Sequence, residues 1–249
     1  SDVIDRLADF NDRVLGKGVV RCADTPGFLG NRVGVFALQV GIDETLKCNL
    51  AIEDADALFG RPMGIPKTGV FGLYDLIGID LMADVVVSLG NILPADDAFH
   101  AVGAANPAIA AMIAAGFTGD KGKGGFYCLD GTKRMARQFA GYEGNDMPPL
   151  KPAKTKLPAA AIAAAEAAAR QDEPLFMLLD GHDDQARFCR RVLGRILHYA
   201  ASLVPSVTTT PQDIDDAMKL GFNWQRGPFE MIDAIGQQRF AALLDECGL

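Results

Sequence analysis

What this sequence has little of narrows its function first. Across 249 residues no Gly-x-Gly-x-x-Gly fingerprint follows a strand-like run. Nor does an acidic residue stand about 20 positions beyond such a run to hold a ribose, so the chain is not expected to bind a dinucleotide alone. Positive charge is short, with 24 Lys and Arg against 32 Asp and Glu and a formal net charge of −8. Nucleic acid and anionic membrane surfaces are gripped by Lys and Arg in excess, and this balance argues against both as partners. The three histidines, His100, His182 and His198, show no metal-ligand spacing. The five cysteines, Cys22, Cys48, Cys128, Cys189 and Cys247, include no Cys-x-x-Cys pair, which predicts reduced thiols in a cytoplasmic setting rather than disulfides or zinc. No apolar run is long enough to span a bilayer and no signal peptide is visible.

What is present is a large apolar share, 49% of residues, enough for one large core or two medium ones. The chain opens on Ser1 rather than methionine, as an excised fragment would. Residues 2–15 place Val3, Leu7, Phe10 and Val14 at helical spacing, and Gly16 and Gly18 stop that helix before a strand-like run, Val19-Val20-Arg21-Cys22. Pro26-Gly27 then forces a turn, since proline restricts φ and glycine tolerates the opposite half of the map. Beyond it Phe28, Val35, Leu38, Ile42 and Leu46 predict a long helix with one buried face, and Asn31 and Arg32 fall in its first turn. That is where free backbone N–H groups and the positive dipole end favour polar ligands. Further helices are predicted over 52–59, 70–78, 80–89, from 106 to 115, over 159–170 and over 187–203. A short extended arm is predicted at 126–129, and a Pro- and Lys-rich linker at 142–158.

The chain also repeats itself. Gly69, Phe71, Asp75 and Gly78 recur at one constant offset as Gly227, Phe229, Asp233 and Gly236, while Asp54 and Asp56 recur one residue further on as Asp213 and Asp215. A duplicated helical unit follows. Carried back along the long helices, the larger offset places Arg190 against Asn31 and Arg191 against Arg32, so the second copy has lost the polar residue of the first. The first copy is read as facing substrate and the second as support.

Three stretches together resemble a known family. Asp24-Thr25-Pro26-Gly27-Phe28, with Asn31-Arg32 after it, resembles the junction of 3-hydroxyacyl-CoA dehydrogenases, where a nucleotide-binding domain enters a helical substrate domain. Lys121-Gly122-Lys123-Gly124-Gly125-Phe126-Tyr127 resembles the segment that closes that domain. Asn223-Trp224-Gln225-Arg226-Gly227-Pro228-Phe229-Glu230 resembles the second helical copy of the multifunctional fatty-acid oxidation enzymes. The resemblance implies an all-α chain: two tandem copies of the 6-phosphogluconate dehydrogenase C-terminal-like helical domain behind a short helix-strand remnant of a Rossmann domain. Its boundaries would be 1–23 for the remnant, 24–141 and 159–249 for the copies, and 142–158 for the linker. It further implies NAD as cofactor of the full-length parent with none in this fragment, a 3-hydroxyacyl-CoA substrate, a missing Rossmann domain and enoyl-CoA hydratase domain as partners, and a homodimer.

Site residues follow from the same resemblance. Asn31 would reach the active site and hydrogen-bond the substrate oxygen or a catalytic histidine, a task that suits an amide carrying both donor and acceptor. The plainer reading is a residue that merely caps or solvates the first helical turn. Pro62, Met63, Gly64, Lys67 and Thr68 lie in the loop where the family shapes its acyl pocket, here longer than in the simple dehydrogenases. Arg32 is expected to pair with a carboxylate, and Lys121 and Lys123 to form a capping turn rather than a phosphate cradle. None of the histidines stands in the family's His-Phe-Phe-Asn-Pro context, so the His–Glu dyad is expected outside this chain. The rival readings are a non-catalytic helical oligomerisation module and the C-terminal domain of another NAD(P)-dependent hydroxyacid dehydrogenase.

Overall fold

The computed structural model describes residues 2–154, 161–163 and 178–249. Helix α1 (Asp2–Arg13) leads through an irregular segment to α2 (Leu29–Lys47), α3 (Ile52–Leu58), a 3-10 turn (Arg61–Met63), α4 (Phe71–Ile77), α5 (Ile79–Ile92), a second 3-10 turn (Ala98–Ala101) and α6 (Pro107–Ala114). Three antiparallel strands follow, β1 (Tyr127–Asp130), β2 (Lys133–Arg137) and β3 (Leu150–Pro152), in the order β1-β2-β3. The chain ends in α7 (Asp184–Ser202), α8 (Pro211–Phe222), α9 (Pro228–Ile235) and α10 (Gln237–Cys247). Most of the helix at 159–170 lies outside the described residues, and only 161–163 of it are seen as helix.

Two expectations fail locally. Residues 19–22 form no strand, since an extended run needs a neighbour's ladder to be one; Ala23 N instead donates to Val207 O at 2.8 Å. Residues 150–152, read as linker, pair with β2 in the register Arg137↔Leu150 and Met135↔Pro152. They are pinned further when Lys154 N and Lys151 Nζ reach Glu53 Oε1 of α3 at 3.2 and 3.4 Å. Pro152 excluded a helix there but is tolerated on an edge strand.

Helix α2 is the axle of the molecule, and it is not the one-faced helix its apolar spacing predicts. From Arg32 to Thr45 every residue except Asp43 is buried, because α7 and α8 pack on it together with α3. Phe28 lies outside the core, 80% exposed, and Leu46 is only partly covered. One continuous apolar cluster runs from Leu29 through Phe71, Phe126 and Phe188 to Leu243, so residues from both ends of the chain share a core. Phe36 stacks on Tyr199 with ring centroids 3.9 Å apart. Glu44, fully buried on α2, accepts from Arg191 Nε and Arg195 Nη1 of α7, each at 2.5 Å. Buried charge is tolerated only when paired in this way.

The repeat seen in the sequence has a structural counterpart. In the first half Asp56 of α3 caps the start of α4: Oδ1 accepts from Val70 N and Phe71 N at 2.7 Å, and Oδ2 from Gly72 N at 2.9 Å. In the second, Asp215 of α8 caps α9 through Phe229 N at 2.8 Å and Glu230 N at 3.2 Å. Gly69 and Gly227 are required by this contact, since a Cβ on either would overlap the capping aspartate.

Candidate substrate-binding site

The polar stretch ahead of α2 builds an exposed corner. Gly27 (φ +98°) and Phe28 (φ +54°) turn the chain into the helix, and Phe28 provides no side-chain cap. A positive φ costs a bulky residue about 1–3 kcal/mol and is held by its surroundings. Asn31 projects from the first turn, exposed, its amide without a hydrogen-bond partner among the described residues. It does not cap the helix, and its exposure is what the plainer reading of a solvated first-turn residue expects as well.

Arg32 beside it is nearly fully buried. Its Nη2 pairs with Asp97, its Nε donates to Tyr199 OH at 3.3 Å, and Tyr199 OH donates to Asp97 Oδ1 at 3.0 Å. Asp97 itself caps the second 3-10 turn through Phe99 N at 2.9 Å. The expected carboxylate pairing therefore anchors the first turn of α2 to α7 and leaves Asn31 facing outward. At the aligned position of the second half the opposite holds. Arg190, in the second turn of α7, donates to Leu179 O, Gly181 O and Glu246 Oε2 at 2.6–3.0 Å, so that side chain is tied down by its own half.

One turn along α2 from Asn31 lies an apolar pocket of about 290 Å³, between the two halves. Gly34, Ala37 and Leu38 form its floor, the loop after the first 3-10 turn gives Ile65, Pro66 and Thr68, and Phe222 and Trp224 close it from the far side. Of the loop residues named from the sequence, Thr68 alone lines it. Pro62 and Met63 are buried, Lys67 is exposed, and Gly64 O accepts from Gln225 N at 2.8 Å. Ile65, Pro66, Phe222 and Trp224 escaped the sequence reading, although the loop position and the Asn223-Trp224 motif both marked the neighbourhood.

The remaining candidates are structural. Lys123 Nζ donates to Ala115 O at 3.3 Å, closing the end of α6 as a capping turn should. His100 and His182 are exposed and His198 is half-buried on α7. Asp75 accepts from Phe126 N and Tyr127 N at 2.8 Å and so ties the sheet to α4. Burial pushes its carboxyl up to about 6, and pushes that of Asp56 up to about 7 against the pull of its donors. Both lie in this capping network rather than beside Asn31. No group of His, Cys, Asp or Glu among the described residues could hold a metal ion, and no helix of theirs is long and apolar enough to cross a membrane.

This is a mostly helical body with a small antiparallel sheet, in which one helix start stands open beside an apolar pocket. A family profile described as "3-hydroxyacyl-CoA dehydrogenase, C-terminal domain" matches residues 27–128 and again 188–247, and the chain belongs to that family. It is 34% identical over 232 residues to a putative fatty acid oxidation complex trifunctional enzyme of Rickettsia prowazekii, covering 93% of this chain and 30% of that protein. It is 32% identical to a probable 3-hydroxyacyl-CoA dehydrogenase of Bacillus subtilis, covering 99% of this chain and again 30% of the relative. The chain thus spans about a third of the length of these relatives. Among solved structures, a 3-hydroxybutyryl-CoA dehydrogenase from Escherichia coli shares the fold with a TM-score of 0.56 at 19% identity, over 99% of this chain and 60% of that one.

Proposed function

We propose that this chain is the substrate-side half of an NAD-dependent L-3-hydroxyacyl-CoA dehydrogenase of fatty-acid β-oxidation. It is read as two tandem copies of the 6-phosphogluconate dehydrogenase C-terminal-like domain, the first beginning at 24 and extended through strand β3 at 150–152, the second over 159–249, preceded by a Rossmann remnant over 1–23. The matching of one family profile to both halves supports the duplication, as do the paired aspartate caps. The observation that carries the function is the free amide of Asn31, one turn from an apolar pocket.

The reaction takes the proton from the C3 hydroxyl and the hydride from C3, leaving a 3-ketoacyl-CoA. NAD, when bound, supplies the hydride acceptor. The described residues do not fit that group, because their sheet is antiparallel and offers no strand-to-helix glycine turn at a switch point. NAD and the His–Glu pair are therefore assigned to a separate nucleotide-binding domain. Asn31 holds the hydroxyl oxygen, or the imidazole receiving its proton, by a hydrogen bond aligned for transfer. Thr68 brings the loop of Pro62, Met63, Gly64 and Lys67 to the acyl side. The apolar face of α1, with Val3, Leu7, Phe10 and Val14 each at least half exposed, together with the exposed ring of Phe28, supports a neighbouring domain seated there. A hydratase domain in the same polypeptide, a homodimer and a cytoplasmic setting complete the reading.

Asn31→Ala in the full polypeptide tests it. Turnover of 3-hydroxyacyl-CoA is expected to fall about 100-fold, the scale for removing one positioned donor, with the melting temperature unchanged because the side chain is exposed. Turnover within threefold of wild type would return the chain to the oligomerisation-module reading.

A further inference from the structure

The second half is more than support, because it supplies one wall of the pocket. α2 carries Gly30 and Gly34 one turn apart, a strip of bare backbone beside Asn31, and the ring of Phe222 lies across it. A Cβ at Gly34 would fall inside that ring, and one at Gly30 would meet it at 3.4 Å. Phe222 ends α8, and Asn223 follows in the left-handed conformation (φ +55°), turning the chain so that Trp224 enters the pocket, 6% exposed. The bond from Gln225 N to Gly64 O holds this turn against the loop of the first half. The ring itself is held only by packing and remains partly exposed.

Resting on the dehydrogenase reading above, we propose that Phe222 and Trp224 close the acyl pocket, and that the Phe222 ring on the Gly30–Gly34 strip sets the length of acyl chain admitted. The lining is mostly apolar, with Thr68 and Asn223 its polar residues, which suits an alkyl chain rather than a polar group. The pocket's volume of about 290 Å³ stands at the lower end for small-molecule sites, about 300–1,000 Å³, so the chain accepted is short. Truncating the ring opens the strip toward solvent and lengthens the groove.

Trp224 is the single tryptophan of the chain, and its emission reports occupancy directly. The probes are CoA itself and butanoyl-, hexanoyl-, decanoyl- and hexadecanoyl-CoA, titrated into this chain. These saturated chains carry no hydroxyl, so binding does not depend on Asn31. Butanoyl- or hexanoyl-CoA is expected to shift the emission and bind at least tenfold tighter than CoA, with decanoyl-CoA weaker. Phe222→Ala is expected to tighten decanoyl-CoA at least tenfold while the short chains change less than threefold; Phe222→Leu, which keeps the site apolar and folded, is expected to move the preference in the same direction. Equal binding of CoA and every acyl-CoA would overturn the proposal, and so would a chain-length preference that neither variant moves. Graded acyl binding in a full polypeptide that oxidises no 3-hydroxyacyl-CoA would instead sink the dehydrogenase reading and leave the pocket standing.

Discussion

The two halves solve one packing problem with one device and then diverge. In each, an aspartate on one helix caps the start of the next, but Asp56 accepts three backbone N–H groups and the Tyr127 hydroxyl at 2.8 Å, whereas Asp215 accepts two backbone N–H groups. The extra donor comes from the sheet, which follows the first copy's helices. Asp75 secures that sheet, while its repeat partner Asp233 is exposed. The long helices diverge as well, with Asn31 free on α2 and Arg190 of α7 bound to its own half. Both halves keep the cap, while Asn31 on α2 is left exposed and Arg190 on α7 braces its own half.

That comparison can be broken most forcefully at the caps. Asp56→Ala strands two buried N–H groups, a partly buried third and a tyrosine hydroxyl, and is expected to cost about 3–5 kcal/mol in urea unfolding, against about 1–3 kcal/mol for Asp215→Ala. Equal losses would mean that Tyr127 and the sheet add nothing to the first cap. The glycines against those aspartates come next. Gly69→Ala adds a methyl group both against Asp56 and at φ +68°, whereas Gly227→Ala meets only the overlap. About 2–3 kcal/mol is expected for the first and about 1 kcal/mol less for the second. A Gly227→Ala variant less stable than Gly69→Ala would show the second half to be the more rigid.

The smallest effect is on pH dependence. Burial raises the carboxyl of Asp56 to about 7 and that of Asp215 to about 6, above the ordinary unfolded value of about 3.9. A folded chain that holds its proton longer than the unfolded one is stabilised at low pH. The contribution is complete below about 3.9 and is lost as pH rises through about 6 for Asp215 and about 7 for Asp56. Asp56→Asn is therefore expected to flatten the decline of stability between about pH 4 and 7, and Asp215→Asn to flatten it only between about 4 and 6, as followed by melting temperature across that range. A steeper decline in Asp56→Asn would reverse the sign assigned to its burial.

Much of the local order was legible in the chain. Asn106 before α6 and Pro107 opening it mark its start, and there Asn106 Oδ1 accepts from Ala108 N at 2.9 Å. The constant offset of Gly69 and Phe71 from Gly227 and Phe229 falls on the two aspartate-capped turns, because a close backbone approach and a helix cap each demand particular residue types. Arg32 was expected to find a carboxylate, though which one was invisible, since Asp97 lies 65 residues away.

What the sequence determined by itself is therefore whatever depends on neighbours along the chain: turns, caps, helical spacing and the polar residue opening α2. Tertiary structure decided the rest. It buried α2 on nearly every side, drew residues 150–152 onto β2 as a strand, put Pro62 and Met63 in the core, and brought Phe222 and Trp224 across to face Gly34. Those outcomes depend on which surfaces meet after the halves pack, and spacing along one helix carries no information about the side chain that arrives from another.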